Sequence, residues 1–225
     1  MVIAAAYKNS GNQLVLSLVP PGTRRVLDIG CGAGDNARCL LAERPGIHIV
    51  GITHSAEEAQ MAAPYLAAVH RLDIERDIKV DLGQDYDLLL FSHVLEHLRS
   101  PVDVIRRFLP LLSVGGHVLI AVPNTLEWRT RIGFLRGNFR YTEHGILDRT
   151  HLRFFTYETA PVELIEPLSE LTLVERKGRG ALPLGRLRRR LLSSRLSSKL
   201  DEAAVRSCPN VFAGEVAILA RRSAS

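Results

Sequence analysis

The segment from Val26 to Gly34, VLDIGCGAG, constrains the fold more than any other stretch of the chain. Its apolar run reads as a strand buried on both faces, and glycines follow at once at 30, 32 and 34. Glycine at that spacing lets the backbone turn through angles that a Cβ forbids and come close to a ligand. A helical pattern begins directly afterwards, over 34–44, so the turn joins a buried strand to a helix.

The same alternation continues along the chain. Strands are expected near 25–30, 47–53, 67–71, 86–91 and 117–122, with helices over 34–44, 55–64 and 101–112, the last opened by Pro101 at a first-turn position. Alternating βα units predict a doubly wound α/β domain with a mostly parallel sheet. Two further strand-like runs, at 171–177 and 211–221, bring the sheet to seven strands. With 225 residues, 46% hydrophobic and 24% charged, one domain can bury its own core, and disordered, collagenous and disulfide-scaffold classes are excluded.

The expected divisions of that single domain, 1–225, are a cofactor-binding half at 1–123, an acceptor-binding or lid region at 124–170, and the last two strands at 171–225 with an insertion at 178–209. The three cysteines are too scattered for a disulfide framework or a CxxC metal site, so free thiols in a reducing compartment are expected. No stretch approaches the roughly 18 apolar residues of a membrane span, and the reading is a cytoplasmic protein.

The glycine spacing bears on the ligand. In a dinucleotide fingerprint the third glycine would fall at 35, where this chain has Asp35, whose charge would face a pyrophosphate at the helix start. NAD and FAD are disfavoured. Asp28, two residues before the first glycine, suits a ligand that presents an ammonium and a carboxylate, such as the methionine end of S-adenosylmethionine.

On these residues the chain resembles the class I S-adenosylmethionine-dependent methyltransferases, whose first motif looks like LDIGCGAG. The likeness runs over about residues 24–123, with Asp73-Ile74 at the place of the adenine-binding pair, YDLLLFSHVLEHL (86–98) as the fourth motif and LLSVGGHVLIAVPN (111–124) as the sixth. The resemblance implies a Rossmann-like seven-stranded fold, S-adenosyl-L-methionine as cofactor and S-adenosyl-L-homocysteine as product. It implies cofactor contacts from Asp28, Gly30, Cys31, Gly32, Gly34, Asp73, Ile74, Ser92 and His93. The family's acid at the end of the second strand is missing, and Thr53 or His54 stands in its place.

Methyl transfer from a sulfonium needs alignment, exclusion of water and, for a hydroxyl acceptor, a base. His93 and His97 after the fourth strand, and His144 and His151 in the following insertion, are the candidates. At helical spacing His93 and His97 share a face and Glu96 points elsewhere. The stretch GILDRTHLRFF (145–155) is similar to a segment of small-molecule methyltransferases, some of them like ubiquinone-biosynthesis O-methyltransferases. This selects His151 as base or substrate-orienting residue, with His144 second. Trp128, Tyr141 and Arg149 are the expected acceptor contacts.

No metal ligands with recognisable spacing stand beside the insertion, and metal independence is expected. The acceptor is expected to be a hydroxyl of a natural-product, quinone or sugar-type small molecule. N- or C-methylation, lipid cyclopropane formation and a non-catalytic scaffold remain as alternatives. Nucleic acid is disfavoured, since FSHV (91–94) replaces the NPPY-type tetrapeptide of base methyltransferases. A homodimer is compatible with the chain.

The net charge of +5 is unevenly placed. Residues 176–199 hold nine bases and no acid, which leaves the rest at −4. That separation predicts a basic insertion detached from the cofactor motifs.

Overall fold

In the computed structural model, which describes residues 11–76 and 80–223, the chain builds one sheet outward from β1 (Arg25–Ile29). This strand pairs in parallel with β2 (His48–Thr53) on one side and β4 (Tyr86–Ser92) on the other, and β3 (Ala68–Arg71) extends the sheet beyond β2. Beyond β4 lies β5 (Leu112–Pro123), also parallel. The strand order is β3-β2-β1-β4-β5-β7-β6, with β6 (Leu171–Gly180) at the edge. Only β7 (Ala213–Arg222) runs against its neighbours β5 and β6, so the sheet is mixed, with its first five strands parallel.

Central strands carry apolar side chains on both faces because helices cover both. Leu88 and Leu90 pack with Val26, Leu40 and Val15 under α1 (Gln13–Leu16) and α2 (Asp35–Glu43). Leu89 and Phe91 point the other way, toward Ile105 and Phe108 of α4 (Pro101–Phe108). Each of these large side chains is fully buried and contributes about 1.5–3 kcal/mol of transfer free energy. Between β2 and β3 lies α3 (Ala56–Ala62).

After β5 the insertion carries α5 (Trp128–Leu135) and an irregular loop, and α6 (Thr159–Leu164) returns the chain to β6. Between β6 and β7 come α7 (Gly185–Leu191), α8 (Ser194–Ser207) and α9 (Pro209–Phe212). None of the described helices is long and apolar enough to cross a membrane. Cys31, Cys39 and Cys208 are not joined in disulfides among the described residues.

The basic stretch is tied into the fold. Arg188 forms a 2.6 Å ion pair with Asp201 of α8, and both side chains are less than one-fifth exposed. The same guanidinium donates to the carbonyls of Leu182 and Pro183. Truncation would strand Asp201 half-buried without its cation, and a partly wet pair of this kind is worth less than the 3–5 kcal/mol of a dry one. Arg188→Ala should therefore cost about 2 kcal/mol, read as a fall of about 4–8 °C in Tm. Ligand affinity at the glycine turn should stay within twofold.

Candidate active site

The strand order reverses between β1 and β4, and open α/β sheets bind ligands at the carboxyl ends of the strands that flank such a point. The turn after β1 is pinned to β2, since the Gly30 and Cys31 N–H groups both donate to the Ile52 carbonyl at 2.8 and 2.9 Å. Gly30, Gly32 and Gly34 all hold positive φ, at 83°, 52° and 80°. A Cβ on Gly30 would strike Val94 at 2.8 Å, whereas one on Gly32 would meet nothing within 4 Å. The space over Gly32 is thus open where the chain needs no room for itself.

Beneath this turn Asp28 is 1% exposed, and neither carboxylate oxygen has a hydrogen-bond partner among the described residues. Burial raises its pKa to about 7. A buried carboxyl without a donor is a standing cost unless a ligand answers it. Cys31 is inert by comparison: burial first, then the Asp28 and Glu58 charges, push its thiol far above the ordinary range, and its sulfur packs toward Gly51.

At the end of β2, Thr53 is buried and donates to Glu58 Oε2 at 2.6 Å. The acid absent from position 53 is supplied five residues later, in the first turn of α3, where Ser55 caps the Glu58 N–H. His54 is exposed. Asp73 caps a turn through the Glu75 N–H and pairs with Arg76, while Ile74 is buried in the core. Asp73 also lines a surface cleft of about 490 Å³ with Arg99, Asp103 and Arg107.

After Ser92 at the end of β4, His93 takes a left-handed φ of 55° and its N–H donates to the Ala121 carbonyl. That twist sets its ring between two carboxylates, with Nε2 3.0 Å from Glu215 and Nδ1 3.3 Å from Glu96. Burial opposes its charge, but the hydrogen bonds to Glu215 and Glu96 outweigh this and raise its pKa to about 10. Glu215 is further held by Arg179 Nε at 2.7 Å and Asn12 Nδ2 at 2.8 Å. Burial favours its neutral form, yet His93, Arg179 and Asn12 together hold its carboxyl below the usual value.

Three expectations change here. His93 is an imidazolium with both nitrogens engaged, which removes it from the candidate bases. It faces Glu96 and not His97, because the segment Leu95–His97 is a 3-10 turn following a left-handed residue, with no α-helical face to share. The basic stretch is not wholly detached from the site either, since Arg179 reaches Glu215.

The insertion is joined to this region by the Leu152 and Arg153 N–H groups, which both donate to the Glu96 carbonyl at 2.8 and 3.0 Å. His151 is thereby brought against His97, ring centroids 4.7 Å apart at 68°. Glu96, His97 and His151 each place one ligand-type atom within 4.8 Å of the others. The expectation that no such group stands beside the insertion is not met, because its members are 54 residues apart in sequence and no local spacing reveals them.

The other expected acceptor residues lie farther out. Trp128 Nε1 donates to the Ala181 carbonyl at 2.8 Å and carries the Arg129 guanidinium over its ring. Tyr141 is exposed and meets the edge of Phe139, which stacks on Phe134. Arg149 pairs with Glu143 at 2.6 Å, and the His144 carbonyl accepts from Thr142. Trp128, Tyr141, Arg149 and His144 all lie on the insertion that follows β5.

A family model described as a methyltransferase domain matches residues 4–159, and the chain belongs to that family. The ubiquinone biosynthesis O-methyltransferase of Serratia proteamaculans (strain 568) is 30% identical over 112 residues, covering 47% of this chain and 46% of that one. Its counterpart in Yersinia pestis (strain Pestoides F) is 29% identical over 119 residues, with the same shares. The chain thus spans about half the length of the curated relatives it matches.

Among solved structures, a SAM dependent methyltransferase from Archaeoglobus fulgidus aligns with a TM-score of 0.60 at 21% identity, covering 89% of this chain and 87% of that one. The plantazolicin methyltransferase BpumL, in complex with SAH, gives 0.58 at 18%, covering 94% and 80%. The cyclase SpnF gives 0.60 at 19%, with the same coverage. The shared fold is that of the class I methyltransferases, and it hosts more than one chemistry.

Proposed function

We propose that this protein transfers a methyl group from S-adenosylmethionine to a hydroxyl of a small-molecule acceptor. The observation that carries the reading is the orphan carboxyl of Asp28 beneath an open glycine turn, which suits an ammonium-bearing ligand and rejects a pyrophosphate. The Gly30–Gly34 backbone is assigned to the methionine, Thr53 with Glu58 to the ribose hydroxyls, and Asp73-Ile74 to the adenine, where Asp73 is exposed and Ile74 packs into the core. The bound sulfonium supplies an activated methyl, and departure leaves a neutral thioether.

The chain's own part is to orient the acceptor, exclude water and take its proton. His151, with Trp128, Tyr141 and Arg149 as the acceptor's outer contacts, is the group assigned to orient or deprotonate it. Oxygen is preferred to nitrogen or carbon on the likeness to the ubiquinone biosynthesis O-methyltransferases. A nucleic-acid acceptor finds little support, because Arg179 and Arg188 are already committed to Glu215 and Asp201.

Calorimetry with S-adenosylhomocysteine should show one-site binding, and a mass-resolved screen of hydroxylated aromatics and lysate metabolites should show a gain of one methyl. Absence of binding would sink the proposal. In His151→Ala, kcat should fall by about 10²–10⁴-fold with unchanged cofactor affinity. Full turnover in that variant removes His151 from the reaction.

A further inference from the structure

We propose that Glu96, His97 and His151 form a binding site for a divalent transition-metal ion of the zinc type. One ligand-type atom from each lies within 4.8 Å of the others. Tetrahedral coordination at bonds of about 2.0–2.1 Å places ligand atoms about 3.4 Å apart. Closing on an ion therefore takes a movement of about an ångström or so, within reach of side-chain rotation.

The hydrogen bonds around the cluster already leave its donor atoms unused. His151 Nδ1 lies 3.0 Å from the Ile146 carbonyl, which can only accept, so Nδ1 carries the proton and Nε2 keeps its lone pair. His97 Nδ1 lies 3.0 Å from Thr150 Oγ1, and that hydroxyl donates onward to Asp148 at 2.7 Å. The direction of this relay fixes His97 Nδ1 as a donor too, again leaving Nε2 free to coordinate.

The third member is the most telling. Glu96 is 1% exposed, its Oε1 faces His93, and its Oε2 has no partner among the described residues. A buried carboxylate with an unanswered oxygen, on a residue that lies within 4.8 Å of two imidazoles, is what a bound cation relieves. Imidazoles held through their far nitrogen by a carbonyl or by a hydroxyl-linked carboxylate are the usual outer layer of a metal site. Edge-to-face packing of two histidines alone would require none of this.

Two imidazoles and one carboxylate select zinc-like ions over magnesium or calcium, which prefer an all-oxygen shell. Three protein ligands leave a coordination position open, the pattern of catalytic zinc sites. Its use in catalysis rests on the methyl-transfer reading; occupancy does not. The acceptor hydroxyl would bind there and lose its proton to solvent. Its oxygen lone pair would then form the C–O bond as the C–S bond breaks toward sulfur, giving a methyl ether and a thioether. His151 would then act by holding the ion.

The test uses the whole protein, stripped with a chelator and titrated with Zn²⁺ against a chromophoric competitor. One ion per chain is expected. His97→Ala and His151→Ala should each lower affinity by at least about 100-fold, and Thr150→Ala by about 10-fold. Co²⁺ in the same site should show the visible absorption of a four- or five-coordinate ion, lost in His151→Ala.

Less than half an equivalent of zinc, or binding unchanged in both histidine variants, overturns the site. Unchanged binding would point to thiols such as Cys208 instead. Glu96→Gln, which keeps the buried shape, should behave as the histidine variants do. Calorimetry with S-adenosylhomocysteine on the same samples separates the two proposals: cofactor binding without zinc ends this one alone, and zinc binding without cofactor ends the methyl-transfer reading alone.

Discussion

Gly32→Ala should weaken S-adenosylhomocysteine binding by at least about 100-fold, near 2.7 kcal/mol, while costing the unliganded protein only about 1–2 kcal/mol of stability. The backbone there has φ 52°, so an alanine costs about 1–2 kcal/mol for its left-handed conformation, but its Cβ meets no protein atom within 4 Å. The volume it enters is the volume assigned to the methionine end of the cofactor. Gly30→Ala makes the control. There φ is 83° and the Cβ strikes Val94 Cγ2 at 2.8 Å, with Val94 Cβ close behind at 2.9 Å. That variant should lose about 3 kcal/mol or more of stability from strain and overpacking together. Thermal melts and calorimetry on both variants separate a folding effect from a ligand effect. If Gly32→Ala binds within threefold of the parent protein, the ligand does not cross this glycine and the assigned cofactor path is wrong.

The sheet was largely legible because its central strands are buried on both faces, so that Val26–Ile29, interrupted only by Asp28, and the unbroken run Leu88–Phe91 stand out as apolar segments. The reversed direction of β7 was not marked by its own residues; it follows from where α7, α8 and α9 deliver the chain. The cofactor motif was legible for the same local reason, since strand, turn and helix are contiguous. What escaped is non-local or depends on unusual backbone. Glu58 stands beside the place of the missing acid only because Ser55 starts a helix that turns the carboxylate back to Thr53. The ion network of Asn12, His93, Arg179 and Glu215 joins four separate parts of the chain around one left-handed residue. The Glu96–His97–His151 cluster exists because two backbone N–H groups of the insertion bind one carbonyl of the strand-four loop. No periodicity in sequence encodes such staples.

Asp28 makes the second large effect, and it has a definite sign. Its folded pKa of about 7 lies above the ordinary 3.8, so the folded protein binds this proton more tightly than the unfolded chain does. No penalty exists below about pH 4, and stability then falls as pH rises through about 7, levelling off about a unit higher, where the charge is fully buried. At 1.36 kcal/mol per unit the loss is about 4 kcal/mol. Glu215, whose pKa is depressed, acts oppositely, adding stability that is lost in acid, so the difference between parent and Asp28→Asn isolates the effect. The asparagine variant lacks the charge but buries an unpaired amide, an offset of about 1–3 kcal/mol that does not vary with pH. The parent-minus-variant curve from denaturant titrations should therefore decline between about pH 4 and about pH 8 and be flat above. A ligand ammonium placed against this carboxyl favours its ionised form. Cofactor binding at pH 6 should then release a fraction of a proton, read from the binding enthalpy in buffers of different ionisation heat, and the release should vanish in Asp28→Asn. Equal release in both proteins would mean that the ammonium is answered elsewhere, and the carboxyl beneath the glycine turn would need another reason to be buried alone.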